Sequence, residues 1–460
     1  SGVNISSLGT GPAGSTKIRI RGNSSFSGAN TPLVVVNGVP IDNTRYGGGG
    51  RFDNVDGGDG LLSLNPDNIE SMTVLKGAAA AALYGSRAKD GVLMITTKLQ
   101  GDSKGFGISV NTNFTTETPL DFTDFQYEYG QGEKGIRPTT VWPTSGVWSF
   151  GEKIEPGMTQ TLFDGVVVPY VAVKDRIKQF YRTGRNLVNT VSFSNSGEQG
   201  GFDLSISNTE NGSIMENSDF TKRNITLGFT QNISKWVTIS GNANYSNEFH
   251  HNPAQVGGQD LSSASAVWTT SNTMPWELLR QYYKDENGNE NLWSRFIPRS
   301  NPYWSMLEHF DNINRDRLFG NVMVRFNITK DIYIQGRAAQ DFYARNRDFN
   351  NPTGTGSLAQ APSGYVNGCY FRNDTQFRER NYDFLIGAQQ KFGTIGVNIN
   401  AGGNQMFRQN KTTRESAEDF VQRGLYTIMN GRVKNASHDL VERAVSSLYG
   451  AAEISYKSFL

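Results

Sequence analysis

The chain holds a single cysteine, Cys369, which excludes an internal disulfide and any multi-cysteine metal site. Charge is sparse and balanced, with 44 Lys+Arg against 43 Asp+Glu and 19% of residues charged. A net charge of +1 supplies no broad field for a polyanion, so nucleic acid is not expected as a partner, and an acidic disordered tail is excluded too. No apolar run reaches the roughly 18 residues of a membrane-spanning helix. No charged-then-apolar signal opens the chain at Ser1, so an exported protein is expected here in processed or trimmed form. Length alone predicts two or three domains, yet the hydrophobic share is 36% and the mean hydropathy −0.49, which is polar for a chain of 460 residues.

What replaces the missing apolar residues is Gly, Asn, Ser, Thr and aromatics, with 51 Gly, 27 Phe and 18 Tyr. From about residue 186 the sequence alternates with period two, as strands with two unlike faces do. Within 236–247 the odd positions read Val237, Ile239, Gly241, Ala243 and Tyr245, and the even ones Thr238, Ser240, Asn242, Asn244 and Ser246. Similar segments at 108–115, 187–194, 202–208, 224–231, 318–328, 332–344, 382–392, 395–401 and 448–456 bring the number to about ten strands. Their connections alternate in length. Short turns fall at 196–200, 234–235, 329–330 and 393–394, and long excursions at about 119–185, 249–313, 346–376 and 410–440. Short on one side and long on the other is the pattern of an outer-membrane barrel. Soluble sandwiches and propellers also alternate, so periodicity alone leaves both open. Two features favour the membrane: the polar face is Asn, Ser, Thr and Gln rather than Lys and Glu, and the aromatics Trp236, Tyr333, Phe342 and Tyr343 stand near strand ends.

The first hundred residues differ. Short strands are expected at 17–21, 33–37, 69–76 and 92–98, with a Gly-rich loop at 45–60, a turn at 65–67 and an Ala-rich helix at 78–84. This predicts a small α+β unit over 1–100, followed by a strand-built unit over 101–460.

Within that unit the runs 18–22 (IRIRG), 32–41 (PLVVVNGVPI) and 64–70 (LNPDNIE) resemble the plug domain of TonB-dependent outer-membrane transporters. The stretches 74–78, 82–88 and 91–98 are similar to the SusC/RagA-like branch in particular. The resemblance implies a membrane β-barrel with the α+β plug inside its lumen. It also implies active import of oligosaccharides or peptides, with no covalent chemistry. The implied partners are a SusD-like surface lipoprotein acting as a lid, the TonB–ExbB–ExbD energy transducer and outer-membrane lipid. The family barrel has 22 strands and about ten are read here, so an N-terminal portion of a longer protein is expected; the preceding carboxypeptidase-D-like domain and TonB box are not in the sequence. A siderophore or cobalamin importer is one alternative, and a soluble β-rich glycan-binding or adhesion protein another.

The plug motif comprises Arg19, Arg21, Gly22, Lys76, Gly77, Tyr84, Gly85 and Arg87. Gly22, Gly77, Gly85 and Gly91 suit tight turns, and Arg19, Arg21 and Arg87 suit ion pairs in a polar lumen. The Gly-rich loop reads either as a flexible apex or as an outward loop offering Tyr46, Arg51 and Asp53 to a ligand. It lacks the phosphate-loop Gly-Lys-Ser/Thr, and Asp53, Asp56 and Asp59 miss EF-hand spacing, so no cofactor is expected and calcium is the one alternative. His250 and His251 are neighbours on a strand and face opposite sides, which argues against a metal site. No Ser/His/Asp or paired-acid arrangement points to catalysis. Trp268, Trp276, Trp293 and Trp304 lie in the excursion at 249–313, where they could stack on sugars, bind a partner or pack on one another.

Overall fold

The computed structural model describes residues 2–7, 11, 13–23, 26, 30–47, 55–76, 84–141, 146–255, 262–294, 300–356 and 367–456. Its largest element is a ten-stranded antiparallel sheet that runs in strict sequence order. The strands are β7 (Gly105–Glu117), β10 (Gly184–Gly197), β11 (Gly200–Gly212), β12 (Asp219–Asn232), β13 (Val237–His251), β14 (Asp311–Asn327), β15 (Ile332–Asn351), β16 (Cys369–Phe392), β17 (Ile395–Phe420) and β18 (Gly431–Tyr456). Every segment read as alternating falls on one of them, with only Trp236 and Ile328 one residue beyond a strand end. The inner connections are 198–199, 233–236, 328–331 and 393–394. At the last of these Gly393 has φ +60, the left-handed value that a two-residue hairpin matched to strand twist requires.

The faces of this sheet are inverted relative to a soluble protein. On β13, Ser240, Asn242, Asn244, Ser246, Glu248 and His250 are buried, while Tyr245 and Phe249 are exposed. On β14, Arg315 and Arg317 are buried, whereas Leu318, Val322 and Phe326 lie 45–50% exposed. Ile225, Leu227, Ile334, Phe384 and Ile386 continue the apolar exterior. A wall apolar outside and polar inside fits hydrocarbon around it and a polar filling within.

Two expectations are corrected. The excursions at 346–376 and 410–440 shrink to 352–368 and 421–430, because β15 to β18 run far past the apolar band. At 26 residues β17 and β18 are more than twice the ~9–11 residues that cross a bilayer, so their outer halves stand in water and lose the apolar phase that marks a strand. Tyr333 and Tyr343 are not interface aromatics. Tyr343 is buried on the inner face and stacks on Phe377 at 4.9 Å, and Tyr333 lies under Arg325 at 3.7 Å.

Inside the curve of the wall sits a four-stranded sheet of β4 (Val39–Ile41), β3 (Leu33–Val36), β6 (Val92–Thr97) and β5 (Ile69–Leu75), in that order, with β3 and β6 parallel. β1 (Val3–Ser7) and β2 (Thr16–Ile20) pair beside it. β1 and β4 are too short and too polar in part for a two-residue period to reveal them. The core is Ile18, Val34, Val36, Ile41, Leu64, Leu93 and Ile95, closed by Phe319 from the wall. The helix expected at 78–84 lies almost wholly outside the described residues, which resume at Tyr84 and continue into a 3-10 turn over Gly85–Ala88.

The outer connections 118–183, 213–218 and 252–310 fold together into a dome. It contains the hairpin of β8 (Thr159–Thr161) with β9 (Val167–Pro169), and helices α1 (Arg176–Phe180), α2 (Ser263–Thr269), α3 (Trp276–Gln281) and α4 (Pro302–Leu307). Ser262 caps α2 by accepting from the Ser265 amide, and Asn301 caps α4, with Pro302 at its first position.

Candidate functional site

Strand alternation puts Arg315 and Arg317 of β14 on the inner face, between Glu248 of β13 and Asp341 of β15. Arg317 grips Asp341 through Nε and Nη2 at 2.9 and 2.7 Å, and two further hydrogens go to the carbonyls of Gly60 (3.1 Å) and Asp42 (2.8 Å). Asp341 in turn accepts from the Asp42 amide at 2.8 Å. Arg315 pairs with Glu248 at 2.5 Å and donates to the Asp59 carbonyl at 2.9 Å. Lys222 Nζ holds the carbonyls of Leu62 and Leu64 at 2.9 and 3.0 Å, and Asn224 holds that of Ser63 at 2.8 Å. Wall side chains thus take up the carbonyls of an irregular plug segment that has no sheet partner for them. Buried charges are tolerated here because Arg315 and Arg317 are ion-paired and Lys222 is hydrogen-bonded to two carbonyls.

The same segment holds itself together through its acids. Asp56 accepts from the Ser15 amide and hydroxyl, and Asp59 from the amides of Thr16 and Leu61. Burial raises the Asp59 carboxyl above the usual range, against the lowering effect of those amides. Val55 bridges to Gln255 in the dome, so this half of the Gly-rich loop is a clamped strap rather than a flexible apex. Tyr46 leans on it. Its hydroxyl meets that of Tyr343, which donates to Asp42 at 3.0 Å, and Arg345 lies over its ring at 4.4 Å. Burial first, then Asp42, raises the Tyr46 phenol above its ordinary value. Arg51 and Asp53 lie outside the described residues.

On the other side of the plug, Glu379 of β16 takes Arg87 of the plug at 2.8 Å and Arg408 of β17 at 2.7 Å. An open groove of about 800 Å³ passes Lys17, Arg19, Arg45 and Arg408, and a second of about 550 Å³ passes Gly38, Tyr84, Arg337 and Tyr449; Leu33 and Arg87 line both.

The plug-motif residues therefore divide. Arg87 makes the expected ion pair, Arg19 donates to the Asn30 carbonyl at 2.8 Å, and Arg21 is exposed at a turn. Gly22 and Gly85 have positive φ, as does Gly91 at +90, where an added Cβ would press on Ile20 and the Leu75 carbonyl. Lys76 is half-buried, Tyr84 lines the second groove, and Gly77 lies outside the described residues. Among the described residues no group of three or more His, Cys, Asp or Glu is gathered as a metal site.

The tryptophans are a correction. Trp276 and Trp293 are buried in the dome core with Leu162, Met274 and Leu279, Trp304 is buried beside Tyr283, and only Trp268 of the four is exposed. Trp276 donates to the Arg176 carbonyl at 2.9 Å and Trp304 to Thr355 at 3.2 Å, so three of the four hold the dome and present nothing outward. Sequence reading missed Lys222, Glu248, Arg315, Arg317, Asp341 and Glu379. The signal for them was charge on the polar phase of alternating strands.

Residues 1–92 match the family described as TonB-dependent Receptor Plug Domain. The chain is 25% identical over 434 residues to the TonB-dependent receptor SusC of Bacteroides thetaiotaomicron, covering 89% of this chain and 38% of SusC. The chain is similar to the SusC/RagA-like TonB-dependent transporters. A second relative, the TonB-dependent receptor P39 of Formosa agariphila, is 27% identical over 243 residues, or 52% of this chain and 20% of that one. In fold, the chain of the RagAB peptide importer in its open-open state superposes with a TM-score of 0.73 at 16% identity, over 100% of this chain and 50% of that chain. The unliganded ferric citrate transporter FecA gives 0.54 at 13% identity, over 99% of this chain and 50% of its own. The chain thus spans half or less of the length of these relatives. For this SusC/RagA-like chain the ten strands are outer-membrane barrel wall, the sheet within them is plug, and the relatives are transporters rather than enzymes.

Proposed function

We propose that the protein imports oligosaccharides or peptides across the outer membrane, driven by TonB with its ExbB–ExbD partners, under a SusD-like lipoprotein lid. The observation that carries this reading is the polar seam between plug and wall. Lys222, Asn224, Arg315, Arg317, Asp341 and Glu379 hold the plug by hydrogen bonds and ion pairs, and Phe319 is the wall residue that enters its apolar core. Water can replace contacts of the first kind at a net cost of about 1.5–3 kcal/mol each where a charged group takes part, whereas an apolar seam would expose surface when parted. An occluding domain that must shift in a wet lumen is served by such a seam. Wide sequence coverage by SusC, against fold likeness alone for FecA, favours this cargo over a siderophore.

The test is extraction of the full-length protein from outer membranes in detergent, with native mass spectrometry of the complex and uptake of labelled oligomers with and without TonB. A co-purifying lipoprotein and TonB-dependent uptake are expected. A monomer that needs no detergent, or cells that take up the oligomers equally without the protein, would overturn the reading.

A further inference from the structure

The outer face of the wall is not smooth. Where β13 to β15 bring Ala243, Gly320 and Ala338 together, short side chains leave a groove of about 360 Å³ between Leu318, Val322 and Tyr382. Those three larger side chains lie 45–49% exposed, on the face that meets hydrocarbon. Arg380 lines the same groove. It shares the outward phase of β16 with Arg378, and stands twelve residues from the strand's inner end at Phe392. At about 3.3 Å per residue and a tilt of about 40°, that is a height of about 30 Å, at the outer margin of an apolar band about 25 Å tall.

Both guanidinium groups are held in place without an acid. Arg380 donates through Nε to Gln340 at 3.4 Å, and Arg378 lies over the Phe342 ring at 5.4 Å. Their cross-strand neighbours are Gln340 and Phe342 on β15 and Phe407 and Gln409 on β17, and neither arginine makes an ion pair among the described residues. The outward acids around them are engaged. Asp316, two strands away, accepts from Tyr245 at 2.8 Å and Asn247 at 2.9 Å; Glu442, two strands away on the other side, accepts from Gln409 at 2.7 Å; and Asp374, further out on β16, pairs with Arg372 at 3.1 Å. Arg223 of β12 and Lys411 of β17, on the same outward face, offset Asp316 and Glu442. The two charges of Arg378 and Arg380 remain.

We propose that this patch is a docking site for a phosphate-bearing lipid of the outer leaflet, with Arg378 and Arg380 on the phosphate and one acyl chain in the groove. The inference rests on the wall's place in the outer membrane and not on the cargo of the importer. A charge at the edge of hydrocarbon is favoured where an anion meets it, and a guanidinium matches phosphate oxygens two at a time. Positions i and i+2 on one strand face stand about 7 Å apart, so two side chains as long as arginine converge on a single phosphate. Arg380 ties the two halves together, since it lines the apolar groove and is also one of the two cations without an acid. A lipid that carries both groups fits this arrangement, whereas a free anion would leave the groove unused.

The experiment strips lipid from the detergent-extracted full-length protein. Native mass spectrometry then measures what it retains from monophosphoryl lipid A, from the same lipid without its phosphate, and from inorganic phosphate. Retention of the phosphorylated lipid is expected to exceed that of the phosphate-free one at least about tenfold. Arg378→Gln with Arg380→Gln is expected to abolish that preference, and Arg378→Lys with Arg380→Lys to keep part of it. Ala243→Phe, which fills the groove and leaves both arginines, is expected to lower retention of both lipids severalfold with the preference intact. Lys235→Gln, in an inner turn, is the control and is expected to change neither. Strand circular dichroism checks each variant, and the groove variant still tests the site where an arginine variant fails to insert. Equal retention of the two lipids, a preference that Lys235→Gln also removes, or indifference to the arginine pair or to Ala243→Phe overturns the inference. So does displacement of the lipid by inorganic phosphate at equal concentration, because a bare anion site needs no groove.

Discussion

Arg317 is nearly sealed from solvent, and both its ion-pair partner and its carbonyl acceptors are sealed with it. Removing one member of such a pair leaves the other buried and uncompensated, at a cost of about 3–5 kcal/mol. Arg317→Met should therefore loosen the strap at 55–64, seen as new protease cleavage there and ion conductance in planar bilayers. Arg317→Met combined with Asp341→Leu should recover much of the loss, since neither charge is then stranded. His309, where the dome meets β14, makes a second test. Burial holds its imidazole down at about 4, with Asp311 pulling the other way. A base whose folded pKa lies below its unfolded value contributes stability above the unfolded value, near 6.5, and loses it as pH falls towards 4. Acidification across that window should raise hydrogen exchange in the dome around Trp304, and His309→Gln should flatten the response. The arginines were legible in part. Their positions on the polar phase of β14 mark them as inward, but a sequence does not say that Asp341 and the Gly60 carbonyl wait there.

At the scale of the element, the dome depends on three indole rings and the barrel on its outer face. Trp276→Ala or Trp304→Ala should cost the dome about 3–5 kcal/mol, read as local loss of exchange protection with the wall strands unchanged. Trp268→Ala, on an exposed ring, should leave protection as it is. A charge on the lipid face acts elsewhere. Leu318→Arg should destabilise the inserted barrel by about 2–4 kcal/mol, depending on depth, and lower its yield in outer membranes. Strand number and the four inner turns were legible because two-residue alternation persists wherever lipid lies on one side and the plug on the other. It fades along the outer halves of β16 to β18, which run beyond the apolar band; there the excursions were read too long.

For the whole molecule, two kinds of contact hold two parts. The wall is held by continuous backbone ladders from β7 to β18, and the plug by side-chain hydrogen bonds to that wall. Urea weakens the second before the first, because ladder bonds are cooperative and shielded by lipid while seam bonds border a wet lumen. In the full-length protein, urea should open conductance through the barrel at concentrations that leave strand circular dichroism intact. Simultaneous loss of both signals would mean that plug and wall are one cooperative unit.

The sequence by itself determined which residues face lipid, since period-two alternation is local and each residue's phase is inherited from its neighbour. It determined the plug as well, through contiguous runs such as 32–41 and 64–70. Only the tertiary structure decided what the charges do. Asp42 meets Asp341, and Arg87 meets Glu379, across 299 and 292 residues of chain. No local pattern links partners so far apart, because their pairing depends on how the plug is rotated within the wall. The same holds for Trp276, Trp293 and Trp304, whose spacing serves an exposed binding surface or a buried core equally well. Their burial was settled by the return of 118–183 over 252–310, a contact between loops that share no period.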